Sequence, residues 1–182
     1  MGRALDGRPV ALLGLRGSGK TTVGRLLAAR LGRPFLDLDE ELVTWARHAG
    51  EPARSAGELL ASRGERRFRE LESDVLRRVL EPRPRLVVAT GGGVVDREDN
   101  RVWLERVAWC VWISVPIEVL ERRLALDPGD RPALTGLAPA TELRHLLARR
   151  APLLEALADL VVEAGDAGPE ELADRIALEF AG

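Results

Sequence analysis

The sequence predicts an α/β protein of three layers, α/β/α, in which helices cover both faces of a parallel β-sheet. Short apolar runs alternate along the chain with longer segments of helical periodicity, as expected for parallel strands joined by crossover helices. In addition, the glycine-rich stretch 14–21 connects the first apolar run, residues 9–13, to the first helical segment, residues 22–31. A glycine-rich connection in that place is typical of sheets that bind phosphate groups.

The same alternation continues to the end of the chain. The predicted strands are apolar runs bounded by turn residues, and they cover residues 9–13, 33–39, 86–90, 109–115 and 160–162. The predicted helices have apolar positions at helical spacing, and they cover residues 22–31, 40–47, 55–62, 65–80, 97–105, 116–126, 141–157 and 169–180. The sheet is therefore expected to have five strands.

Local signals support several of these boundaries. Ser55, with Glu58 three residues later, has the spacing of a capping box and should begin a helix. The helix 65–80 carries a continuous apolar face and is followed by Pro82, which cannot continue it. Pro116 stands where a first helical turn tolerates proline.

Length and composition restrict the function classes. We expect residues 1–182 to form a single domain, with 46% hydrophobic and 31% charged residues as in soluble globular proteins. A net charge of −2 gives no general basic surface, so we do not expect a nucleic acid partner. The apolar runs fall short of the roughly 20 residues that a membrane span needs, and the first residues lack a signal-peptide core. These features predict a cytoplasmic protein without a membrane partner, and we expect a monomer.

The stretch Gly14–Thr21 matches the phosphate-binding pattern G-x-x-x-x-G-K-[ST] between a strand and a helix. Glycines allow backbone N–H groups to face a polyphosphate, and the helix N-terminus adds partial positive charge. Lys20 would lie along the outer phosphates, and the Thr21 hydroxyl would ligate Mg²⁺. The residues expected to contact the nucleotide are Gly17, Ser18, Gly19, Lys20, Thr21 and Thr22.

Lys20 is also the only lysine among the 27 lysine and arginine residues of the chain. All other positively charged side chains among these residues are arginines, so position 20 is the one exception. A phosphate-binding loop needs a compact ammonium group on a flexible stem, which a planar guanidinium group replaces poorly. This exception independently supports nucleotide binding.

Two further patterns follow predicted strands. Asp37 and Asp39, at the end of strand 33–39, should project from one face because strand side chains alternate. Carboxylates at this edge suit Mg²⁺ binding and activation of a hydroxyl group, although a pair of exposed acids is the alternative. Glycines 91–93, after strand 86–90, offer unobstructed backbone N–H groups at the same edge, unless they form only a flexible turn.

Six motifs, taken together, resemble one known family. They are G-L-R-G-S-G-K-T at 14–21, F-L-D-L-D at 35–39, F-R-x-x-E at 68–72, T-G-G-G at 90–93, R-P-x-L at 131–134 and R-x-P-L at 150–153. In this combination and order, over nearly the whole chain, the sequence resembles the shikimate kinases. The resemblance implies a P-loop kinase fold of the nucleoside-monophosphate-kinase type, with a parallel sheet in the order 2-3-1-4-5.

The resemblance also implies an activity, the phosphorylation of shikimate by ATP to give shikimate 3-phosphate and ADP, with Mg²⁺ as cofactor. It implies an acceptor-binding helical segment at about 40–80 and a lid at about 125–140. The turn-rich and polar composition of residues 127–136 independently favours a lid.

Site residues carry over where the motifs match. The residues implied to be catalytic are Lys20, Asp39 and Arg131, with Asp39 as the base and Arg131 on the lid. Those implied to bind shikimate are Asp39, Arg69, Gly91, Gly92, Gly93 and Arg150, the two arginines gripping its carboxylate. Those implied to bind the metal are Thr21 and Asp37. Glu72 matches a family acid that orients a binding arginine.

One segment departs from the family pattern and keeps two alternatives open. Residues 48–60 are longer by a couple of residues, with Ala56 and Leu60 where bulkier side chains are common. The acceptor could therefore be another small hydroxy acid such as gluconate. A metabolite-sensing kinase-like domain without turnover is the other alternative, although the phosphate-binding motif is intact.

Overall fold

The structure, a computed structural model, describes residues 7–81, 83–126, 137–165 and 167–181. Its sheet contains five parallel strands in the order β2-β3-β1-β4-β5. The strands are β1 (Val10–Leu13), β2 (Phe35–Asp37), β3 (Val87–Ala89), β4 (Trp109–Ser114) and β5 (Leu160–Glu163). The predicted fold class and strand order are confirmed.

The helices follow the predicted alternation, and they are α1 (Lys20–Leu31), α2 (Leu38–His48), α3 (Ala56–Arg63), α4 (Glu65–Leu80), α5 (Glu98–Val107), α6 (Ile117–Leu126), α7 (Pro139–Leu157) and α8 (Pro169–Ala181). A 3₁₀ turn, Val94–Asp96, was not predicted. Ser55 caps α3 as expected, because its hydroxyl accepts a hydrogen bond from the Glu58 N–H at 3.1 Å. Within the described ranges, no helix combines the length and apolar character that a membrane crossing requires.

The predicted strand 33–39 is wrong at its carboxyl end. β2 stops at Asp37, and Asp39 lies in the first turn of α2. Asp37 is the N-cap of that helix, and its Oδ1 accepts a hydrogen bond from the Asp39 N–H at 2.9 Å. An acidic first turn is also favoured by the positive end of the helix dipole. The two carboxylates are thus neighbours through a helix cap, not through strand alternation.

Alternate strand residues pack on opposite faces of the sheet. Ala11 and Leu13 join a core with α2, α3, α4 and α5, whereas Val10 and Leu12 join a second core with α1, α6 and α8. Register places the ends of three strands side by side, since Ala89 pairs with both Leu12 and Asp37. The carboxyl ends of β1, β2 and β3 therefore form one edge, where ligands of such sheets bind.

Cys110 is buried in the middle of β4. Burial, with a smaller contribution from the Asp159 carboxylate, raises the pKa of its thiol to about 12. Because the thiolate is the reactive form, we expect no reaction of the native protein with Ellman's reagent at neutral pH. Unfolding in guanidinium chloride should release one reactive thiol. Rapid labelling of the native protein would contradict the buried position.

Candidate active site

A cleft of about 650 Å³ opens at the carboxyl edge of the sheet. It is lined by the phosphate-binding loop and the start of α1, by the ends of β2 and β3, and by α6 and α8. The lining residues are Arg16, Gly17, Ser18, Gly19, Lys20, Thr21, Thr22, Val23, Asp37, Asp39, Thr90, Gly92, Arg123, Leu124, Leu126, Ala167, Pro169 and Leu172. The cleft therefore unites the glycine-rich loop with both predicted carboxylates.

The loop after β1 has the backbone of a phosphate cradle. Gly14, Gly17 and Gly19 have φ values of 144°, 78° and 89°, a region that residues with a Cβ rarely adopt. A Cβ at Gly14 would also lie 2.8 Å from Ser18 Oγ. Gly19 is the N-cap of α1 and has no side chain, so it leaves the first N–H groups of the helix for a ligand.

The Lys20 ammonium group lies within this loop. Its Nζ donates hydrogen bonds to the carbonyl oxygens of Gly14 and Leu15, at 2.9 and 2.8 Å, and lies 3.4 Å from Ser18 Oγ. The side chain is largely buried, yet it lines the cleft. A compact cation with several donors fits this space.

Thr21 and Asp37 connect the start of α1 to the end of β2. Thr21 Oγ1 donates a hydrogen bond to Asp37 Oδ2 at 2.5 Å. A hydroxyl and a carboxylate oxygen are the hard ligands that Mg²⁺ prefers, so these residues fit the predicted metal. No group of three or more histidine, cysteine, aspartate or glutamate residues that could hold a metal exists among the described residues.

The three glycines after β3 pack against three different parts of the site. A Cβ at Gly91 would collide with Glu72 Oε1 and lie 3.5 Å from Asp39 Oδ1. A Cβ at Gly92 would lie 3.3 Å from the backbone nitrogen of Arg16 in the phosphate-binding loop. A Cβ at Gly93 would collide with the guanidinium group of Arg69. A Cβ would displace the buried ends of Glu72 and Arg69 at Gly91 and Gly93 and would crowd the phosphate-binding loop at Gly92, so the three glycines pack closely against the site.

Arg69 and Glu72 form a buried ion pair on α4. Nη1 of Arg69 donates a hydrogen bond to Glu72 Oε2 at 2.8 Å, and both side chains are at least nine-tenths buried. Burial raises the pKa of the Glu72 carboxyl, while the charges of Arg69 and Arg150 oppose this shift. The spacing of three residues in F-R-x-x-E places the pair on one face of the helix.

Arg150 on α7 forms a second pair, with Asp96 at the end of the 3₁₀ turn. Its Nε donates to Asp96 Oδ1 at 3.0 Å and its Nη2 to Oδ2 at 2.6 Å. Arg149 Nη2 also contacts Asp96 Oδ2, at 3.0 Å. Partial burial would raise the pKa of Asp96, but the hydrogen bond and charge of Arg150, together with the charges of Arg149 and Arg69, lower the pKa overall.

The predicted site residues thus fall into two neighbouring groups. Those that line the cleft are Gly17, Ser18, Gly19, Lys20, Thr21, Thr22, Asp37, Asp39 and Gly92. Those that adjoin it around the glycine turn without lining it are Arg69, Glu72, Gly91, Gly93 and, through Asp96, Arg150. Arg131 and most of the predicted lid lie outside the described residues.

Sequence reasoning missed Arg123 and Asp96. Arg123 Nη1 donates a hydrogen bond to the Gly17 carbonyl at 3.0 Å, which ties α6 to the phosphate-binding loop. No signal distinguished it, since arginine is abundant throughout the chain. Asp96 lies in a short charged stretch outside the six motifs, so nothing in the sequence distinguishes it.

Known proteins resemble the chain over nearly its full length. The shikimate kinase family model matches residues 16–181. A shikimate kinase of Nitratidesulfovibrio vulgaris is 49% identical over 160 residues, which cover 87% of each chain. The structure of a shikimate kinase from Acinetobacter baumannii in complex with shikimate superposes with a TM-score of 0.84 at 35% identity, covering 96% of this chain and 93% of that one. A shikimate kinase structure from Aquifex aeolicus gives a TM-score of 0.75 at 30% identity, covering 96% of each chain.

These matches confirm the predicted P-loop kinase fold and the predicted class of enzyme. They do not favour a gluconate kinase or a non-catalytic sensor. Given a family match over residues 16–181 and a relative at 49% identity, the chain belongs to the shikimate kinase family, whose members use ATP to phosphorylate a hydroxyl group of shikimate.

Proposed function

We propose that this chain transfers the γ-phosphoryl group of ATP to the 3-hydroxyl of shikimate, with Mg²⁺ as cofactor. The observation that carries the proposal is the packing of Gly91, Gly92 and Gly93. These three consecutive residues adjoin Asp39, the phosphate-binding loop and Arg69 in turn. A donor phosphate, a base and a cationic carboxylate site would thereby be held around one short turn.

The phosphate-binding loop would hold the triphosphate. Phosphoryl transfer depends on positioning and on neutralised charge more than on covalent participation by the protein. The N–H groups at the start of α1 and the Lys20 ammonium group would supply fixed positive charge. Mg²⁺, held by Thr21 and Asp37, would neutralise charge on the phosphate oxygens.

Asp39 would accept the proton of the attacking hydroxyl group. It lines the cleft together with Lys20, and its Oδ1 lies next to Gly91 on the acceptor side. A carboxylate in this position can orient a hydroxyl group and take its proton as the new P–O bond forms. Arg131, on the predicted lid, would supply a further positive charge to the γ-phosphoryl group during its transfer.

The arginines behind the glycine turn support an acceptor that carries a carboxylate. Arg69 and Arg150 are both buried there, paired with Glu72 and Asp96 respectively, and Arg149 also contacts Asp96. Guanidinium groups bind carboxylates with paired, charge-assisted hydrogen bonds. The helices α2 to α4 would form the acceptor-binding segment, about 40–80, of a single domain over residues 1–182.

A coupled assay of ADP release tests the proposal. The full chain is incubated with ATP and Mg²⁺ and with shikimate, gluconate or no acceptor. We expect release that depends on shikimate. Turnover with gluconate alone would overturn the acceptor assignment, and binding of shikimate without turnover would overturn the catalytic one.

Arg69→Ala should raise the KM for shikimate by about 10- to 150-fold, because a hydrogen bond to a charged group contributes about 1.5–3 kcal/mol. The KM for ATP should change little. Arg66→Ala on the same helix is the matched control, since Arg66 is exposed and its contact with Glu70 is long, at 4.0 Å. An unchanged KM for shikimate in the Arg69 variant would show that this arginine does not bind the acceptor.

A further inference from the structure

We infer that Asp96 is a positioning residue that makes the site selective for an acceptor carboxylate, by fixing the guanidinium group of Arg150. The inference rests on the proposed function, because it takes Arg150 as a ligand of that carboxylate. Asp96 itself would not touch the substrate.

The geometry of the pair leaves one edge of Arg150 for a ligand. Asp96 bonds to Nε and to one hydrogen of Nη2, which form the lateral edge of the guanidinium group. The terminal edge, formed by Nη1 and the second hydrogen of Nη2, is not used by Asp96. A guanidinium group has rigid, planar donors, so fixing one edge also fixes the direction of the other. With only 4% of its side chain exposed, Arg150 has little room to rotate.

Asp96 is itself held firmly. Its N–H donates to the Gly93 carbonyl at 3.0 Å, at the end of the glycine turn. Two side chains of α5 support the intervening residues, since Asn100 donates to the carbonyl of Val94 and Arg101 to that of Val95, at 3.1 and 2.7 Å. One short segment thus packs Gly93 against Arg69 and presents a carboxylate to Arg150.

Electrostatics gives Asp96 a second effect on the same arginine. Its carboxylate shares a hydrogen bond with Arg149, and its pKa is also lowered by the charge of Arg69. A carboxylate between these cations reduces their mutual repulsion in a buried site. Without it, Arg150 would lose the carboxylate that orients it and would keep only the more distant charge of Glu72. The loss should appear as weaker acceptor binding, because no step of phosphoryl transfer passes through Asp96.

The first test is Asp96→Asn, which keeps the shape of the side chain and removes its charge. We expect the KM for shikimate to rise about tenfold or more, while kcat and the KM for ATP stay within about threefold. Asp96→Glu keeps the charge on a longer stem and should recover part of the loss. Asp99→Asn is the matched control, because Asp99 lies three residues away in an exposed contact with Arg97 at 3.5 Å.

Comparison with a second acceptor, which lacks the carboxylate, distinguishes a loss of Arg150 positioning from general damage to the fold. In a shikimate analogue with a hydroxymethyl group in place of the carboxylate, Arg150 has no anion to bind. The preference of the wild-type chain for shikimate over this analogue should shrink in Asp96→Asn. In an Arg150→Ala background, Asp96→Asn should cause no further loss, since interacting residues are not additive.

Two results would overturn the inference: an unchanged KM for shikimate in Asp96→Asn, or an equal loss of kcat/KM for both acceptors. If Asp96→Asn does not fold, Asp96→Ser decides the matter, because it also removes the carboxylate and an unaltered preference between the two acceptors would have the same meaning. Failure of the proposed function would be seen separately, as absence of shikimate-dependent ADP release in the unsubstituted chain.

Discussion

Asp39→Asn is expected to lower kcat for shikimate phosphorylation by about 10²- to 10⁴-fold, the usual contribution of a positioned general base. The amide has the shape of the carboxylate but cannot take up the proton of the acceptor hydroxyl group. Asp39 lies in the first turn of α2, where its backbone N–H is held by Asp37. The substitution should therefore leave the helix cap and the phosphate-binding loop in place.

Turnover is measured by the coupled assay, and ATP binding by isothermal titration calorimetry. ATP should bind the variant with nearly unchanged affinity. Glu40→Gln is the matched control, because Glu40 is the next residue of the same helical turn and its carboxylate forms an exposed ion pair with Arg25 at 3.0 Å. Turnover at the wild-type rate in Asp39→Asn would remove Asp39 as the base.

Most of the fold could be predicted because its signals are local. The helix α4 has the predicted bounds, 65–80, since its apolar face is continuous and proline follows it. The buried strands β3 and β4 are apolar runs that only a covered parallel sheet accommodates. β2 was predicted too long because a three-residue strand followed at once by a helix has no clear period. The strand ends at Asp37 because the side chain of this residue caps the N-terminus of α2.

The candidate site also contains one part that the sequence predicts and another part that it does not. The phosphate-binding loop is one continuous motif, so its position between β1 and α1 could be predicted from the sequence. Asp96 and Arg123 could not be found, because they meet partners 54 and 106 residues away in the chain. Such contacts depend on how α6 and α7 pack over the loop and the glycine turn. The proximity of Asp37 and Asp39 was predicted from strand alternation, although a helix cap is its actual cause.

Lys20→Arg is expected to lower kcat by about 10²- to 10³-fold, comparable to the loss of a donor that stabilises the transition state. The substitution preserves the charge, so the loss would come from shape. Nζ reaches the carbonyl oxygens of Gly14 and Leu15 within a buried loop, and a planar guanidinium group is too large for that position. ADP release with shikimate measures the effect, and a thermal melt verifies that the variant is folded.

The matched control is Arg25→Lys, the reverse exchange at an exposed position of the same helix α1. It should leave turnover unchanged, which would show that exchange of the two cations is harmless away from the loop. Lys20 also carries the only lysine amine of the chain, so an amine-specific reagent can label only it and the N-terminus. ATP should protect Lys20 from labelling. Full turnover in Lys20→Arg, or labelling that ATP does not alter, would contradict the explanation given for the single lysine in an arginine-rich chain.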